Sequence, residues 1–251
     1  MKKLFLALIF PAVLLLASCD ELSKVDDGQL TSEEIIEGLK TALSRGTDSS
    51  SAILSAQDGY FKDELVKILL PPEADKILEY VNQIPGGTKM VDDVILGINR
   101  SAEDAAKDAK PIFYDAITGM TIEDGLNILQ GKTTSKTGEF DSIAATGYLK
   151  SRTYDQLVGA YAPKINTALD KKLLGDISTN QAWGTLTNTY NMLVTPSDRV
   201  NTDLGEFCTQ KALDGLFRKV GDQEKKIRKN PFEWASDILE KVFGFVYEAM
   251  Q

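Results

Sequence analysis

Apolar residues recur along most of this chain at intervals of three and four positions, the pattern of amphipathic helices. A capping box of Thr31 and Glu34 starts the first run, which predicts a helix over about residues 32–45 that ends at Gly46. Comparable runs indicate further helical segments at 49–57, 73–84, 88–109, 139–150, 153–174, 179–193, 201–220 and 222–229, with others after Pro111, Thr121 and Pro231, and we expect a bundle of about ten helices. Alternating runs bounded by turn dipeptides are nearly absent. The sequence therefore predicts an all-α, single-domain, irregular multi-helix bundle with no significant sheet.

The first 18 residues differ from this pattern and indicate a secretory signal peptide. Lys2 and Lys3 precede an apolar stretch, and the segment Leu16-Ala17-Ser18-Cys19 has the form of a lipobox. The apolar stretch is shorter than the ~20 residues of a bilayer-spanning helix, so a retained transmembrane anchor is the weaker alternative. Similarity to bacterial lipoprotein signals implies cleavage before Cys19 and acylation of that residue, which would anchor the chain to the bilayer.

This organisation predicts three parts: the signal peptide at 1–18, an acidic lipidated tether at 19–30 and a helical domain at 31–251. We expect a secreted protein, anchored to the inner or the outer bacterial membrane and facing the periplasm. Asp20, directly after the lipidated cysteine, leaves the choice of membrane open because the sorting rule differs between bacterial lineages.

Composition removes several classes of chemistry. The chain has no histidine, so nucleophile systems, zinc sites and pH switches that depend on imidazole are excluded. Its net charge of −9 and the lack of a dense basic patch disfavour nucleic acid as a partner. Once Cys19 carries lipid, Cys208 is the sole remaining thiol and no internal disulfide can form. Its helical spacing with Leu204 and Phe207 predicts a buried structural thiol. No metal-binding or cofactor motif is found.

Certain polar residues beside apolar helical stripes are the best candidates for a role beyond packing: Asn99, Arg100, Glu103, Lys211, Asp214, Glu224 and Arg228. Spacing on the long helix predicts that Arg100 pairs with Asp104. Two interpretations stay open for these residues. They form a wall of an interhelical ligand pocket, or they form a satisfied polar network that fixes the register of the helices.

Six separate motifs link almost the whole mature chain to a known family. They are Gly38-Leu39-Lys40-Thr41-Ala42-Leu43, Ile98-Asn99-Arg100-Ser101-Ala102-Glu103, Ile112-Phe113 with Ala116-Ile117-Thr118-Gly119-Met120, Ala144-Ala145-Thr146-Gly147-Tyr148, Lys211-Ala212-Leu213-Asp214-Gly215-Leu216-Phe217, and Glu224-Lys225-Lys226-Ile227-Arg228 with Asn230-Pro231. In order and spacing they resemble the bacterial lipoprotein family of domain of unknown function 4197. The resemblance implies a helical, secreted, lipid-anchored protein of Gram-negative bacteria, and it implies no activity. The sequence departs from the family at Gly125 and in an apolar extension over residues 245–251.

The lipid anchor, the absence of histidine and the lack of a coherent catalytic constellation favour a non-enzymatic binding or envelope-scaffolding protein. Its expected partners are the bilayer, through acylated Cys19, and an envelope protein or an apolar small ligand. One alternative is a carrier of a lipid or other apolar ligand, which needs an apolar cavity of ~300 Å³ or more. A second is a carboxylate- and lysine-based hydrolase or transferase, which needs a pocket that gathers at least two of Glu103, Lys211, Asp214 and Glu224.

Overall fold

The computed structural model describes residues 31–132, 140–172 and 177–230, together with Ile238 and Val242. Within these residues the chain forms eight α-helices and no β-strand, which confirms the all-α prediction. The helices are α1 (Ser32–Ser55), α2 (Asp75–Tyr80), α3 (Gly87–Ala106), α4 (Ala109–Thr118), α5 (Ile122–Leu129), α6 (Ala144–Leu169), α7 (Thr179–Leu193) and α8 (Leu204–Lys229). None of the helices in the described ranges has the length and apolar character needed to cross a membrane.

The helices are fewer and longer than the sequence predicts. The predicted end at Gly46 is wrong, because α1 continues to Ser55 and absorbs the short helix expected at 49–57. Gly46 faces α8, where an added Cβ would lie 3.5 Å from the Cβ of Gln223, so this glycine permits close packing and does not end the helix. The pairs predicted at 139–150 and 153–174, and at 201–220 and 222–229, are likewise the single helices α6 and α8.

Other boundaries agree better with the sequence. The predicted long helix at 88–109 ends at Ala106, and α4 then begins at Ala109 with Pro111 in its first turn. Capping boxes at Thr31 and Thr121 start α1 and α5 as predicted, since each threonine side chain accepts a hydrogen bond from the backbone three residues on. The helix predicted after Pro231 lies outside the described residues, apart from Ile238 and Val242, which are both helical.

Helices α1, α3, α6 and α8 surround the hydrophobic core. Helix α6 packs against both α3 and α8, and α1 packs along α8. The rings of Phe113 on α4 and Phe217 on α8 meet edge to face, with centroids 5.9 Å apart. Fully buried large side chains come from every one of these helices: Leu39, Leu54, Ile98, Phe113, Leu149, Leu157, Tyr161, Ile165, Leu213 and Leu216 among them. Each contributes roughly 1.5–3 kcal/mol by leaving water.

The long connection between α1 and the 3-10 turn that leads to α2 is not helical but is firmly attached. We call residues 56–71 the pinned segment. Its Tyr60 is fully buried and donates from its hydroxyl to the carbonyl oxygen of Ala212 on α8, at 2.7 Å. Gly215, one turn further along α8, makes this approach possible because an added Cβ would lie 2.8 Å from the Tyr60 ring. The pinned segment therefore lies directly on α8 and forms part of the protein surface.

Candidate functional site

The carboxylate of Glu103 on α3 holds the beginning of the pinned segment. Its Oε1 accepts hydrogen bonds from the backbone N–H groups of Tyr60 and Phe61, both at 3.2 Å. Its Oε2 accepts from Nη1 of Arg100 at 2.6 Å, and Nη2 of Arg100 reaches Oδ1 of Asp58 at 2.6 Å. The side chain of Glu103 is only 6% exposed, so its negative charge is neutralised internally.

The predicted pair between Arg100 and Asp104 is wrong. Asp104 pairs with Lys107 on the outer face of the helix, while Arg100 turns toward Glu103 and the pinned segment. Helical spacing allows both arrangements. Asp58 of the pinned segment decides between them, since Arg100 contacts two carboxylates, Asp58 and Glu103, in the arrangement that the structure has.

Asp58 is the third member of the ion cluster that Glu103 and Arg100 form, and its backbone conformation is uncommon. It is the one non-glycine residue with positive φ, +69°, in the part of the chain that the structure describes. Its carboxylate also accepts from Lys62 at 2.7 Å. Hydrogen bonds from Lys62 and Arg100 hold the pKa of Asp58 below its usual value of 3.8. The turn is therefore fixed by charge as well as by backbone contacts.

Asn99 holds the end of the same segment. Its side-chain Nδ2 donates to the carbonyl oxygens of Ile68 and Ile95, both at 2.7 Å, and its Oδ1 accepts from the N–H of Ile68 at 2.9 Å. Both backbone polar groups of Ile68 are thus paired with one amide, as they would be with a neighbouring strand. Because Asn99 is fully buried, this pairing leaves it no group for a ligand.

A second carboxylate, Glu224 on α8, binds backbone in the same way at the start of α6. Its Oε1 accepts from the N–H of Ala145 at 3.0 Å, and its Oε2 accepts from the N–H and the hydroxyl of Thr146 at 2.8 and 2.7 Å. The N-cap residue of α6, Ile143, has no side chain that can cap. Glu224 therefore caps α6 from another helix, where the helix dipole favours its charge.

Arg228 neutralises Glu224 and extends this contact to a third helix. Its Nε and Nη2 donate to Oε1 of Glu224 at 3.0 and 2.8 Å, and Nη2 also donates to the carbonyl oxygen of Ile128 on α5 at 3.0 Å. The two side chains are 11% and 7% exposed. Five of the predicted candidates, Asn99, Arg100, Glu103, Glu224 and Arg228, thus lie in two internal networks, which favours the register-fixing interpretation for them.

The two remaining candidates, Lys211 and Asp214, lie on the surface. They line a groove of about 410 Å³ between the pinned segment and α8, which we call the α8 groove. Exposed Leu65 and Leu69 and half-buried Phe207 supply its apolar surface. Three basic side chains and one carboxylate also line it: Lys67, Lys211, Arg218 and Asp214. The Lys211 ammonium lies 3.8 Å from Asp214, a loose and exposed pair.

A separate, smaller space lies between α1, α6 and α8, beside Glu224. Its volume is about 20 Å³, enough for roughly one water molecule. Apolar residues form most of its wall: Leu39, Ala42, Leu43, Ala145, Val220 and Ile227. An acyl chain does not fit this space as the structure has it.

The single thiol of the domain has no features of a nucleophile. Cys208 is fully buried, and its Sγ lies 3.3 Å from the carbonyl oxygen of Ile98 and 3.4 Å from the hydroxyl of Ser101. Burial raises the pKa of Cys208 to about 12, so the thiol is protonated at neutral pH. The predicted buried position of this residue is confirmed.

Over residues 29–244 the sequence matches the model of a family described as "Protein of unknown function (DUF4197)". The chain belongs to this family. The match covers both internal networks and the α8 groove of this DUF4197 protein, and it confirms the resemblance found in the sequence motifs. Neither a curated protein nor a solved structure matches the chain.

The α8 groove of the DUF4197 domain was not predicted, although the end of the pinned segment carries a sequence signal. The prolines at 71 and 72 disfavour helical backbone in the residues before them. The sequence could therefore have indicated an extended edge here, but not that α8 lies beside it.

Proposed function

We propose that this DUF4197 protein is a membrane-anchored, periplasm-facing lipoprotein with a non-enzymatic binding or scaffolding role, and that the α8 groove is its binding surface. The observation that carries the proposal is the groove itself. Leu65 and Leu69 are 58% and 61% exposed there, on a segment whose backbone is fixed by Glu103 and Asn99. Apolar side chains held rigidly in water favour a contact with a partner.

The hydrogen bonds of the two buried carboxylates support a non-enzymatic role. Glu103 and Glu224, the carboxylates best shielded from water among the candidates, accept hydrogen bonds from backbone N–H groups and an arginine. A general acid or base must be within reach of a substrate. These carboxylates are buried and bind the chain itself, which favours a structural use of their charge.

The hydrolase or transferase alternative retains one favourable observation. The α8 groove gathers Lys211 and Asp214, which meets the requirement for two candidate residues in one pocket. They are about half exposed and one helical turn apart on α8, so helix geometry alone brings them together. Turnover by the purified chain that is lost in Lys211→Ala and in Asp214→Ala would favour this alternative over binding.

The anchoring part of the proposal rests on the lipobox and is tested separately. In the native host, Cys19→Ala should leave the chain unacylated. We expect the variant to leave the membrane fraction that holds the wild-type chain, or to accumulate as the unprocessed precursor. Mass spectrometry of the amino-terminal peptide measures the acylation directly. A wild-type peptide without lipid would contradict the anchor and leave the groove unaffected.

Binding at the groove is tested by photo-crosslinking in the native host. A photoreactive residue replaces Leu69 in the full chain, and the control carries it at Met192, which is 84% exposed and does not line the groove. We expect a discrete protein adduct at position 69 that is weak or absent at position 192. Lys211→Glu with Arg218→Glu should abolish it, whereas Lys225→Glu with Lys226→Glu, the same charge change elsewhere on α8, should not. Equal labelling at both positions would contradict the proposal.

A further inference from the structure

We propose that the α8 groove binds an extended peptide segment that presents apolar and acidic residues on one face, and that this segment pairs with the backbone of Leu69 as an added strand. This inference rests on the proposed function of the groove and specifies its partner. Three features of the groove lead to it: an extended edge, a row of apolar side chains and a basic border.

The extended edge comes from the way in which Asn99 holds the pinned segment. Asn99 pairs with both the N–H and the C=O of Ile68 on the inner side. In extended backbone the polar groups of the next residue point to the opposite side. Those of Leu69 accordingly face away from α3, and neither forms a hydrogen bond with any residue that the structure describes. Such an edge is where a peptide adds a strand.

The apolar surface sets which side chains the peptide presents. Leu65 and Leu69 are exposed on the pinned segment, and Phe207 faces them from α8. Since successive side chains of a strand point to opposite faces, every second residue of an added peptide would contact this surface. The volume of about 410 Å³ lies within the range of small binding sites and suits a few side chains.

The charges of the groove select acidic residues on the same face of the peptide as the apolar ones. Lys67, Lys211 and Arg218 border the groove with only Asp214 of opposite sign, whereas the whole chain has a net charge of −9. Lys67 lies over the ring of Phe61, 4.8 Å from its centroid, and is held near the edge. A local basic border on an acidic protein complements aspartate and glutamate side chains of a partner.

An anionic lipid would match the basic border and the apolar surface as well, but it would not use the backbone edge. Lipid head groups and acyl chains do not form paired backbone hydrogen bonds. The groove also lies beside Ile68, whose backbone Asn99 holds on both sides of the residue. Because this backbone is already ordered, a peptide that pairs with it loses less conformational entropy on binding. A peptide uses all three features, so the observations favour it.

The test selects binders without assuming their sequence. A random library of ten-residue peptides displayed on phage is selected on the full mature chain, with its anchor held in phosphatidylcholine nanodiscs. Counter-selection uses Lys211→Glu with Arg218→Glu. We expect the enriched peptides to carry Asp or Glu two residues away from Val, Ile or Leu, on one face of a strand, and to bind the charge-reversed protein at least about tenfold more weakly. Lys225→Glu with Lys226→Glu should bind them like the wild type, and circular dichroism should be unchanged in both variants.

The proposed hydrogen bond between the peptide and the backbone of Leu69 is tested by a separate measurement. An ester in place of the amide between Ile68 and Leu69 removes the N–H of Leu69 and keeps the leucine side chain, and it should weaken binding of the selected peptides about two- to tenfold. The ester also weakens the Ile68 carbonyl as an acceptor for Asn99, so hydrogen exchange of the pinned segment without peptide must match that of the wild type. Failure to enrich peptides, enrichment of basic or helical ones, or no effect of the ester would overturn the inference. If a protein adduct at Leu69 still forms in the host, the proposed function survives that failure. If the photoreactive residue labels phospholipid alone, the groove binds membrane and both proposals are wrong.

Discussion

Two carboxylate–arginine pairs in this domain perform the same task in different surroundings. Glu103 with Arg100 binds two successive backbone N–H groups at the start of the pinned segment, and Glu224 with Arg228 binds two at the start of α6. Arg228 is 11% exposed, whereas Arg100 is 26% exposed and shares its charge with Asp58. A buried charge without a partner is costly, so the two pairs should respond differently to the same substitution.

The difference suggests separate roles. Glu224 ties together three helices of the core, α5, α6 and α8, and its loss should affect the whole domain. Glu103 ties a surface segment to α3, and its loss should affect that segment first. The pair at Glu103 also holds the beginning of the segment that forms one side of the α8 groove. We therefore assign global stability to the pair at Glu224 and groove geometry to the pair at Glu103.

The largest expected effect is that of Glu224→Ala. The substitution leaves Arg228 buried without its partner and removes the cap of α6, so we expect a loss of about 3–5 kcal/mol in the free energy of unfolding. Urea denaturation of the full chain measures it. Arg152→Ala breaks the exposed pair with Asp124 and serves as the control, with an expected cost below about 1 kcal/mol. Similar costs for the two variants would show that Glu224 is not a structural centre.

Glu103→Ala should cost less and act locally. Arg100 keeps Asp58 as a partner and reaches water, but the N–H groups of Tyr60 and Phe61 lose their acceptor, which predicts a loss of about 1–3 kcal/mol. Hydrogen exchange locates the effect. The amides of Tyr60 and Phe61 should exchange faster while those of Ala145 and Thr146 stay protected. Equal acceleration at both ends would contradict the separation of roles.

The sequence predicts the fold class, the capped starts of α1 and α5 and the polar residues that lie next to the core, because periodicity and capping are local properties. It fails at Gly46 and Gly221, where packing against another helix decides whether a glycine ends a helix. It also fails for the partners of Arg100, since the pinned segment that supplies Asp58 is brought to α3 only by folding. The α8 groove is formed by residues that are distant in the sequence and meet only in the folded chain, so the sequence did not predict it.

A double-mutant cycle can test whether Asn99 and Glu103 hold the pinned segment as one unit. Combining Asn99→Ala with Glu103→Gln should cost less than the two single substitutions together, by about 0.5–3 kcal/mol, because the first already releases part of the segment. Combining Asn99→Ala with Glu224→Gln should be additive within roughly 0.5 kcal/mol. Unfolding free energies from urea titrations supply both numbers. Coupling of Asn99 to Glu224 as strong as its coupling to Glu103 would contradict two independent networks.

The smallest expected effect concerns Asp58 and depends on pH. Because Lys62 and Arg100 lower its pKa in the folded state, ionised Asp58 stabilises the fold above the usual value of 3.8, and this contribution is lost as the pH falls through the lowered pKa. Asp58→Asn keeps a residue that tolerates positive φ but removes the charge. The wild type should therefore be more stable than the variant at pH 6, and the difference should shrink below pH 3.8. A difference that stays constant over this range would show that backbone conformation, and not charge, fixes the turn.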